Sequence, residues 1–264
     1  MSEGLFYFTP KADPYFAMAF DAWLFERCCA QNPPARAVLR LYSWNCPAVT
    51  VGYNQNAEEV VDMASLPENT PVIRRITGGR AIYHDCDEIT FSLGAVLTEL
   101  PLPARTLSGA NSLVSETIVD VLRRLGIEAV WARHSDAGFR KQTGARVRSC
   151  FDSISRYEIT VGGQKVVGIA QRRRGDCLIQ QGSIKINGIT DNPAVRQTGR
   201  PVPVEVSPSV GRGKTLTPDS MREIFQDVFS NRLAVTFQPG ELSSDDCQAV
   251  SILQGNLMHF PLEK

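Results

Sequence analysis

The stretch RRITGGRAIYH, residues 74–84, combines three arginines, a glycine pair and a histidine between two apolar runs. Glycines let a backbone come close to a ligand and present its N–H groups to it. Arginines beside them suit a carboxylate, a phosphate or an acidic partner surface. Because a Gly-Gly pair alone is more often a simple hairpin turn, a ligand-binding interpretation needs support from elsewhere in the chain.

A second segment supplies that support in three pieces: SCFDSISRYE (149–158), GQKVVGIAQRRR (163–174) and QQGS (180–183). Together with the first stretch, these pieces resemble the biotin/lipoate protein ligase superfamily and, within it, the cysteine-dependent octanoyltransferases. The resemblance runs from Met18 to about Ile186, which is most of the chain. Each piece alone is weak evidence, whereas the combination is specific.

Length and composition indicate one large domain with a sizeable core, since the chain has 264 residues and 43% of them are hydrophobic. We predict a single acyltransferase domain over 1–264, in which 208–264 is a C-terminal helical extension. The 28 basic residues balance the 28 acidic ones, so the net charge does not favour a nucleic-acid or membrane partner.

The apolar runs, the cysteines and the histidines of the sequence predict the compartment and the cofactor requirement. No apolar run approaches the ~20 residues of a membrane span, and the first residues carry no signal-peptide pattern. The seven cysteines show no paired spacing, which favours a reducing cytoplasm. With three scattered histidines a zinc site is not expected. We therefore predict a cytoplasmic protein with no metal and no cofactor.

Hydrophobic periodicity predicts more strands than helices, and hence an α+β or mixed α/β class. Predicted helices span 17–27, 114–125 and 218–229; predicted strands span 37–44, 48–53, 71–75, 89–93, 128–131, 157–161, 165–170 and 177–186. Residues 134–149 are polar and read as a mobile loop. The resemblance, not the periodicity, implies a mixed sheet flanked by helices, as in biotin protein ligases and class II tRNA synthetases.

Cys150 is the predicted nucleophile. A thiolate attacks a thioester readily and gives another thioester, so an acyl group can move from a carrier without ATP. Nearby cations, with Lys165 and Arg148 as candidates, would lower the pKa of the thiol. A buried structural cysteine is the alternative, and the Cys150-Phe151 and Tyr157-Glu158 pattern of the family favours the nucleophile.

Lys165 opens a K-x-x-G-x-A pattern that in ligase relatives contacts the activated acyl group. As an ammonium group it can stabilise an oxyanion, and as an amine it can accept a proton from an attacking lysine. A surface lysine in a hairpin is the alternative. Gly168 would permit close approach of the acyl chain, and Ala170 would keep the channel open.

The first stretch matches the octanoyltransferase form of the family signature, in which Arg80 stands where ATP-dependent ligases usually carry glycine. Thr77 is expected to pack. His84 would orient Cys150 or bind a substrate carbonyl, or else be a hydrogen-bonded core histidine. The residues of this stretch that the resemblance places at the substrate are Arg75, Gly78, Gly79, Arg80, Ala81 and His84.

Two positions depart from the family pattern. Gln181-Gly182-Ser183 replaces the usual His-Gly-Ser, and Ile169 replaces a small serine. Gln181 and Gly182 are still expected at the substrate. Glutamine can donate and accept hydrogen bonds but cannot titrate. Ile169 is expected to shorten the acyl pocket, so both changes bear on the choice of substrate.

The resemblance implies that an octanoyl group moves from acyl carrier protein to Cys150 and then to a lysine of a lipoyl domain. That domain would belong to the glycine cleavage H protein or to the E2 subunit of a 2-oxoacid dehydrogenase. Three alternatives remain open: an ATP-dependent lipoate–protein ligase, an amidotransferase that moves octanoyl groups between lipoyl domains, and an acyl-binding protein without turnover.

Overall fold

The computed structural model describes residues 2–30, 32–33, 35–133, 157–185, 194–195 and 216–258. The predicted loop at 134–149 and the predicted nucleophile Cys150 lie outside the described residues. Within the described parts of the chain, no helix has the length and apolar character that crossing a membrane requires.

Eleven strands and five helices make up the described regular structure, apart from short 3-10 turns. The strands are β1 (Ser2–Ala12), β2 (Ala37–Trp44), β3 (Ala48–Val51), β4 (Val72–Arg74), β5 (Ile82–His84), β6 (Ile89–Val96), β7 (Ala129–Arg133), β8 (Tyr157–Val161), β9 (Gln164–Arg174), β10 (Cys177–Ile184) and β11 (Val235–Pro239). The helices are α1 (Pro14–Cys28), α2 (Ala57–Val60), α3 (Leu107–Arg124), α4 (Pro218–Leu233) and α5 (Ser244–Met258).

Eight of these strands form one mixed sheet in the order β11-β1-β2-β6-β10-β9-β8-β7. The first three strands of that order run parallel, and the pairs from β2 onward are antiparallel. The remaining three strands form a small sheet in the order β4-β3-β5. With helices on both faces of the large sheet, the structure confirms the predicted class.

The two faces of the large sheet bury different partners. One face packs against α3 and α4 in the largest hydrophobic cluster, which includes Phe91, Ile118, Phe225 and Phe229. Side chains alternate between faces along a strand. The residues between these apolar positions therefore point to the opposite face, where α1 and α5 pack through a second cluster and where the small sheet lies.

Local sequence signals fix several element ends. Asp13 begins α1, because its carboxylate accepts a hydrogen bond from the backbone N–H of Phe16 at 3.0 Å. Gly126, with φ +82°, follows the end of α3 as predicted for a left-handed cap. Gly162 and Gly163 have φ values of +58° and +81°, which confirms the predicted turn between β8 and β9.

The C-terminal residues 216–258 carry more than helices. β11 extends the large sheet by pairing parallel to β1, with Val235 opposite Ser2. α4 covers one face of that sheet, and α5 packs near α1 on the other through Val250. The segment is therefore built into the large sheet on both faces, and the predicted domain division remains a prediction.

Candidate active site

A cavity lies between the large sheet and the small sheet, on the face where α1 packs. It encloses an empty volume of about 450 Å³, part of which is open to solvent. Its lining is mostly apolar with a few polar groups, which is the usual character of a small-molecule site. The lining residues are Met18, Tyr42, Trp44, Thr50, Arg75, Gly79, Ile82, His84, Thr90, Gly168, Ile169, Ala170, Gln181, Gly182 and Ser183.

The floor of the cavity is a row of residues that pair across four neighbouring strands. Gly168 pairs with Ser183, Ser183 with Thr90, and Thr90 with Tyr42. Three interstrand steps span about 14 Å. The row begins at a residue without a side chain and ends at a large aromatic one, next to Trp44. We call the end formed by Tyr42 and Trp44 the aromatic end.

A β-bulge in β9 places Lys165 on the cavity face. Ile159 pairs with Val167, but the next residue of β8, Thr160, pairs with Lys165, so β9 holds one extra residue. Val166 and Val167 consequently both point into the large core cluster. Lys165 faces the same side as Gly168 and Ala170, whereas strict alternation would have put it with Val167.

The glycine loop at 78–79 is held against the small sheet by Arg75. Its guanidinium group donates to the carbonyl oxygens of Gly78 at 2.7 Å, Arg80 at 2.7 Å and Thr50 at 3.0 Å. The loop also needs glycine at position 52, since a Cβ atom there would lie 2.1 Å from the carbonyl oxygen of Gly79. Arg75 therefore shapes the loop that borders the cavity.

A buried polar network fixes the other side of the same loop. The hydroxyl of Thr77 donates to Oε1 of Gln181 at 2.6 Å, and Nε2 of Gln181 donates to Asp21 at 2.7 Å. Asp21 is fully buried and also accepts from Arg40 at 2.8 Å and from Tyr42 at 3.0 Å. Burial, followed by the charge of Asp21, raises the pKa of Tyr42 well above its usual value, so Tyr42 stays a donor.

Gln181 thus accepts one hydrogen bond and donates another. A neutral histidine can do the same with its two ring nitrogens. The glutamine that departs from the family pattern therefore keeps a donor and an acceptor and gives up only the ability to titrate. Thr77, expected only to pack, is instead the residue that connects this network to the glycine loop.

His84 has a partner at each ring nitrogen. Nδ1 lies 2.7 Å from the Glu88 carboxylate, and Nε2 lies 2.8 Å from the hydroxyl of Thr50. Because an ionised carboxylate only accepts, Nδ1 carries the proton of its bond. Thr50 already accepts from Nη1 of Arg75 at 3.2 Å, which leaves its own proton for Nε2. His84 is therefore a buried, hydrogen-bonded histidine that borders the cavity, and its predicted relation to Cys150 lies outside the described residues.

Glu88 is a fully buried carboxylate whose pKa is shifted. Burial raises this pKa, but electrostatic interactions with His84 and Lys185 and the hydrogen bond from His84 outweigh it and lower the pKa to about 2. A lowered pKa means that the ionised form stabilises the fold above the unfolded-state value near 4.5. That contribution decreases as the pH falls below about 4.5 and is lost once the pH has fallen through about 2, so Glu88 is charged at neutral pH.

The predicted site residues fall into four groups. Seven border the cavity: Arg75, Gly79, His84, Gly168, Ala170, Gln181 and Gly182. Gly78, Arg80 and Ala81 do not, and Ala81 packs in the core of the small sheet instead. Lys165 shares the cavity face of β9, and Cys150 lies outside the described residues.

Seven of the lining residues were not singled out from the sequence: Met18, Tyr42, Trp44, Thr50, Ile82, Thr90 and Ser183. Tyr42, Thr90 and Ser183 share a row only through strand pairing, which the sequence does not disclose. Ile169 borders the cavity, but it pairs with Gly182 and packs against the core on the opposite face. The expectation that its side chain shortens the pocket is therefore wrong, because the side chain points away.

Replacing Thr77 by valine tests whether this network holds the glycine loop. Thr77→Val keeps the shape but leaves Oε1 of Gln181 without its donor, which costs about 1–3 kcal/mol of unfolding free energy. We expect KM for the substrate to rise about tenfold as the loop loosens, and Thr77→Ser to restore it. Steady-state kinetics and thermal unfolding measure both effects.

Thr117→Val is the matched control for this change. Thr117 is equally buried and donates to the carbonyl oxygen of Leu113 at 2.7 Å, but it lies in α3 on the other side of the large sheet. A comparable rise of KM in this control would show that lost stability, rather than the loop, is responsible.

The fold places the chain in the structural class of the lipoate protein ligases. The structure matches that of a putative lipoate protein ligase from T. acidophilum with a TM-score of 0.72, covering 99% of this chain and 98% of that one. Since the identity is only 21%, this likeness establishes the fold.

The sequence comparisons identify the family more specifically than the fold does. The model of the lipoyl protein ligase A/B catalytic domain matches residues 13–195, and the chain belongs to this family. It is 31% identical to an octanoyltransferase LipM from Kyrpidia tusciae, over 95% of this chain and 94% of that protein. It is 32% identical to an octanoyltransferase LipM from Bacillus subtilis, over 91% and 90% of the two chains. These relatives confirm the resemblance and support an acyltransferase of protein lipoylation.

Proposed function

We propose that the chain transfers an octanoyl group from acyl carrier protein, through a thioester on Cys150, to a lysine of a lipoyl domain. The acceptor would be the lipoyl domain of the glycine cleavage H protein or of a 2-oxoacid dehydrogenase E2 subunit. The reaction would take place in the cytoplasm, in line with the sequence signals.

One observation carries this proposal: the β9 bulge puts an amine on the same wall as the two small residues that border the cavity. Gly168 and Ala170 place no large side chain on that wall. Lys165 lies three residues before Gly168 on the same face of β9. An extended eight-carbon chain is shorter than the row from Gly168 to Tyr42. Its carbonyl would then lie near Lys165 and its tail at the aromatic end.

The first chemical step would exchange one thioester for another. The Cys150 thiolate attacks the carbonyl carbon, an oxyanion forms, and the pantetheine thiolate leaves and takes up a proton. The Lys165 ammonium group would stabilise the oxyanion. In the second step the amine of the acceptor lysine attacks the carbonyl carbon of the Cys150 thioester, its surplus proton passes to solvent, and the C–S bond breaks to release the Cys150 thiolate as the amide forms.

The position of Cys150 in the chain is compatible with this role. β8 begins at Tyr157, seven residues after Cys150, and two residues further on Ile159 pairs with Val167. Seven extended residues span at most about 25 Å. The covalent link therefore permits the Cys150 thiol to reach the cavity end near Gly168.

Intact mass spectrometry under a denaturing quench tests the proposal. The native chain, incubated with octanoyl-acyl carrier protein and without ATP, should gain the mass of one octanoyl group. Cys150→Ala should gain none. Adding an apo-lipoyl domain should move the mass to that domain.

Three results would contradict the proposal, each in favour of another function. Lipoylation of the acceptor only with ATP and free lipoate would favour a ligase. Transfer only from an octanoylated lipoyl domain would favour an amidotransferase. A mass gain that survives Cys150→Ala would exclude the thioester on Cys150.

A further inference from the structure

Glu88 sits in the four-residue link between the small sheet and the large sheet, at 85–88. β5 ends at His84 in the small sheet, and β6 begins at Ile89 in the large sheet. The two walls of the cavity are therefore joined by this short link. Glu88 has an exposed fraction of 1%, so its carboxylate points inward between the walls.

The carboxylate bonds to both walls at once. Oε1 of Glu88 is 2.7 Å from Nδ1 of His84 in the small sheet and accepts from the hydroxyl of Thr90 in the large sheet at 3.0 Å. Lys185, which follows β10, lies 3.5 Å from Oε2 and donates to the carbonyl oxygen of Tyr83 at 2.6 Å. Lys185 thus adds a second connection from the large sheet to β5.

Four side chains close a circuit at the aromatic end of the cavity. Glu88 accepts a hydrogen bond from His84, and the ring of His84 stacks on Trp44 with the ring centroids 4.2 Å apart. Nε1 of Trp44 donates to Thr90 at 2.9 Å, and Thr90 donates back to Glu88. We call these four residues the Glu88 circuit. Three of them line the cavity, and Glu88 is the one behind the wall.

Stability alone does not account for this arrangement. Replacing a buried ion pair by packed apolar residues is often neutral or stabilising, because taking charges out of water is expensive. A closed circuit of directional bonds does what apolar packing does poorly, since it fixes the distance and angle between two walls. The gap that it fixes is the space for the acyl tail.

We propose that Glu88 is a positioning residue that sets the gap between the two sheets at the aromatic end, and so determines how tightly the acyl tail is held. This inference rests on the proposed function, because it takes the cavity to be the acyl site. Glu88 does not touch the acyl group itself; it acts through His84, Thr90 and Trp44.

The test uses two variants that break the circuit differently. Glu88→Gln keeps the shape but removes the charge, and Thr90→Val removes both hydrogen bonds of Thr90 without leaving an unpaired charge. We expect each to raise KM for octanoyl-acyl carrier protein about tenfold with kcat nearly unchanged, which is the pattern of lost uniform binding. The preference for octanoyl over hexanoyl and decanoyl donors should weaken in both.

A further readout separates positioning from general damage. The rate at which iodoacetamide alkylates Cys150 should match that of the native chain, because the circuit does not act on the thiol. The double variant should raise KM by less than the product of the single effects, since both substitutions disrupt the same hydrogen-bond network. Thr117→Val serves again as the control for a lost buried hydrogen bond.

The outcomes are distinguishable from failure of the proposed function. If the native chain takes no octanoyl group on Cys150, the proposed function fails. If the native chain is acylated but folded Thr90→Val keeps the native KM and chain-length preference, the role of Glu88 is refuted. Should Glu88→Gln not fold, Glu88→Asp decides, because it keeps the charge but withdraws the carboxylate from His84 and Thr90 without changing a residue that lines the cavity.

Discussion

Lys165→Met is expected to slow octanoyl transfer by a factor of about 10² to 10³, the usual cost of removing one oxyanion-stabilising donor. Methionine keeps the length and apolar stem of the side chain, so the half-buried site should still pack. The loss should appear in kcat rather than in KM, because the oxyanion exists only in the transition state. Single-turnover acylation of Cys150, followed by mass spectrometry, measures it directly.

Two companion variants define the cause of that loss. Lys165→Arg keeps the positive charge but spreads it over a planar group, so an intermediate rate is expected. Arg124→Met is the matched control, because it removes a cation that pairs with Asp227 between α3 and α4 on the other face of the sheet. A Lys165→Met enzyme with the native kcat would remove Lys165 from the mechanism.

The position of Lys165 also shows where sequence reasoning reaches its limit. Alternation along β9 predicts that Lys165 faces the core with Val167 and Ile169, away from Gly168 and Ala170. The family resemblance predicts the opposite. The bulge between Lys165 and Val167 reconciles the two, and nothing in the local sequence announces it, since this bulge needs no glycine of its own.

Elements with clean periodicity were predicted well, and those without it were not. β2 matches its predicted bounds at 37–44. The apolar stripe of α3 was predicted correctly, but the helix begins earlier than predicted, because Thr106 caps it eight residues before Val114. β1 was missed, since it contains Pro10, has Lys11 at φ +53° and shows no regular alternation of burial. In α5 only Val250 is fully buried, so no stripe marks that helix.

The buried charges of the site could not be predicted from the sequence for another reason. Charged side chains are mostly exposed in folded proteins, yet those of Asp21 and Arg40 are fully buried and paired. Their partners are distant in sequence, as with Thr77 and Gln181, 104 residues apart. Only tertiary structure brings such groups together, and burial is tolerated because each charge has a partner. The motif located the cavity, but the polar networks behind its walls required the fold.

Gly52→Ala is expected to lower octanoyl transfer about 10²-fold, the scale of a displacement of roughly 1 Å near a reacting centre. A Cβ atom at position 52 would lie 2.1 Å from the carbonyl oxygen and 3.0 Å from the carbonyl carbon of Gly79. These are backbone atoms, so the glycine loop itself must shift. Arg75 would then lose its bonds to the loop carbonyls, and the cavity its border at Gly79.

A matched substitution separates the loop from the cost of the added methyl group. Gly4→Ala also meets close neighbours, 2.6 Å from Val235 and 2.7 Å from Phe237, but at the β1–β11 edge of the sheet. Both variants should lose about 1–3 kcal/mol of unfolding free energy through overpacking. Only Gly52→Ala should lose activity when both are assayed well below their melting temperatures. Equal activity in the two folded variants would mean that the glycine loop does not shape the acyl site.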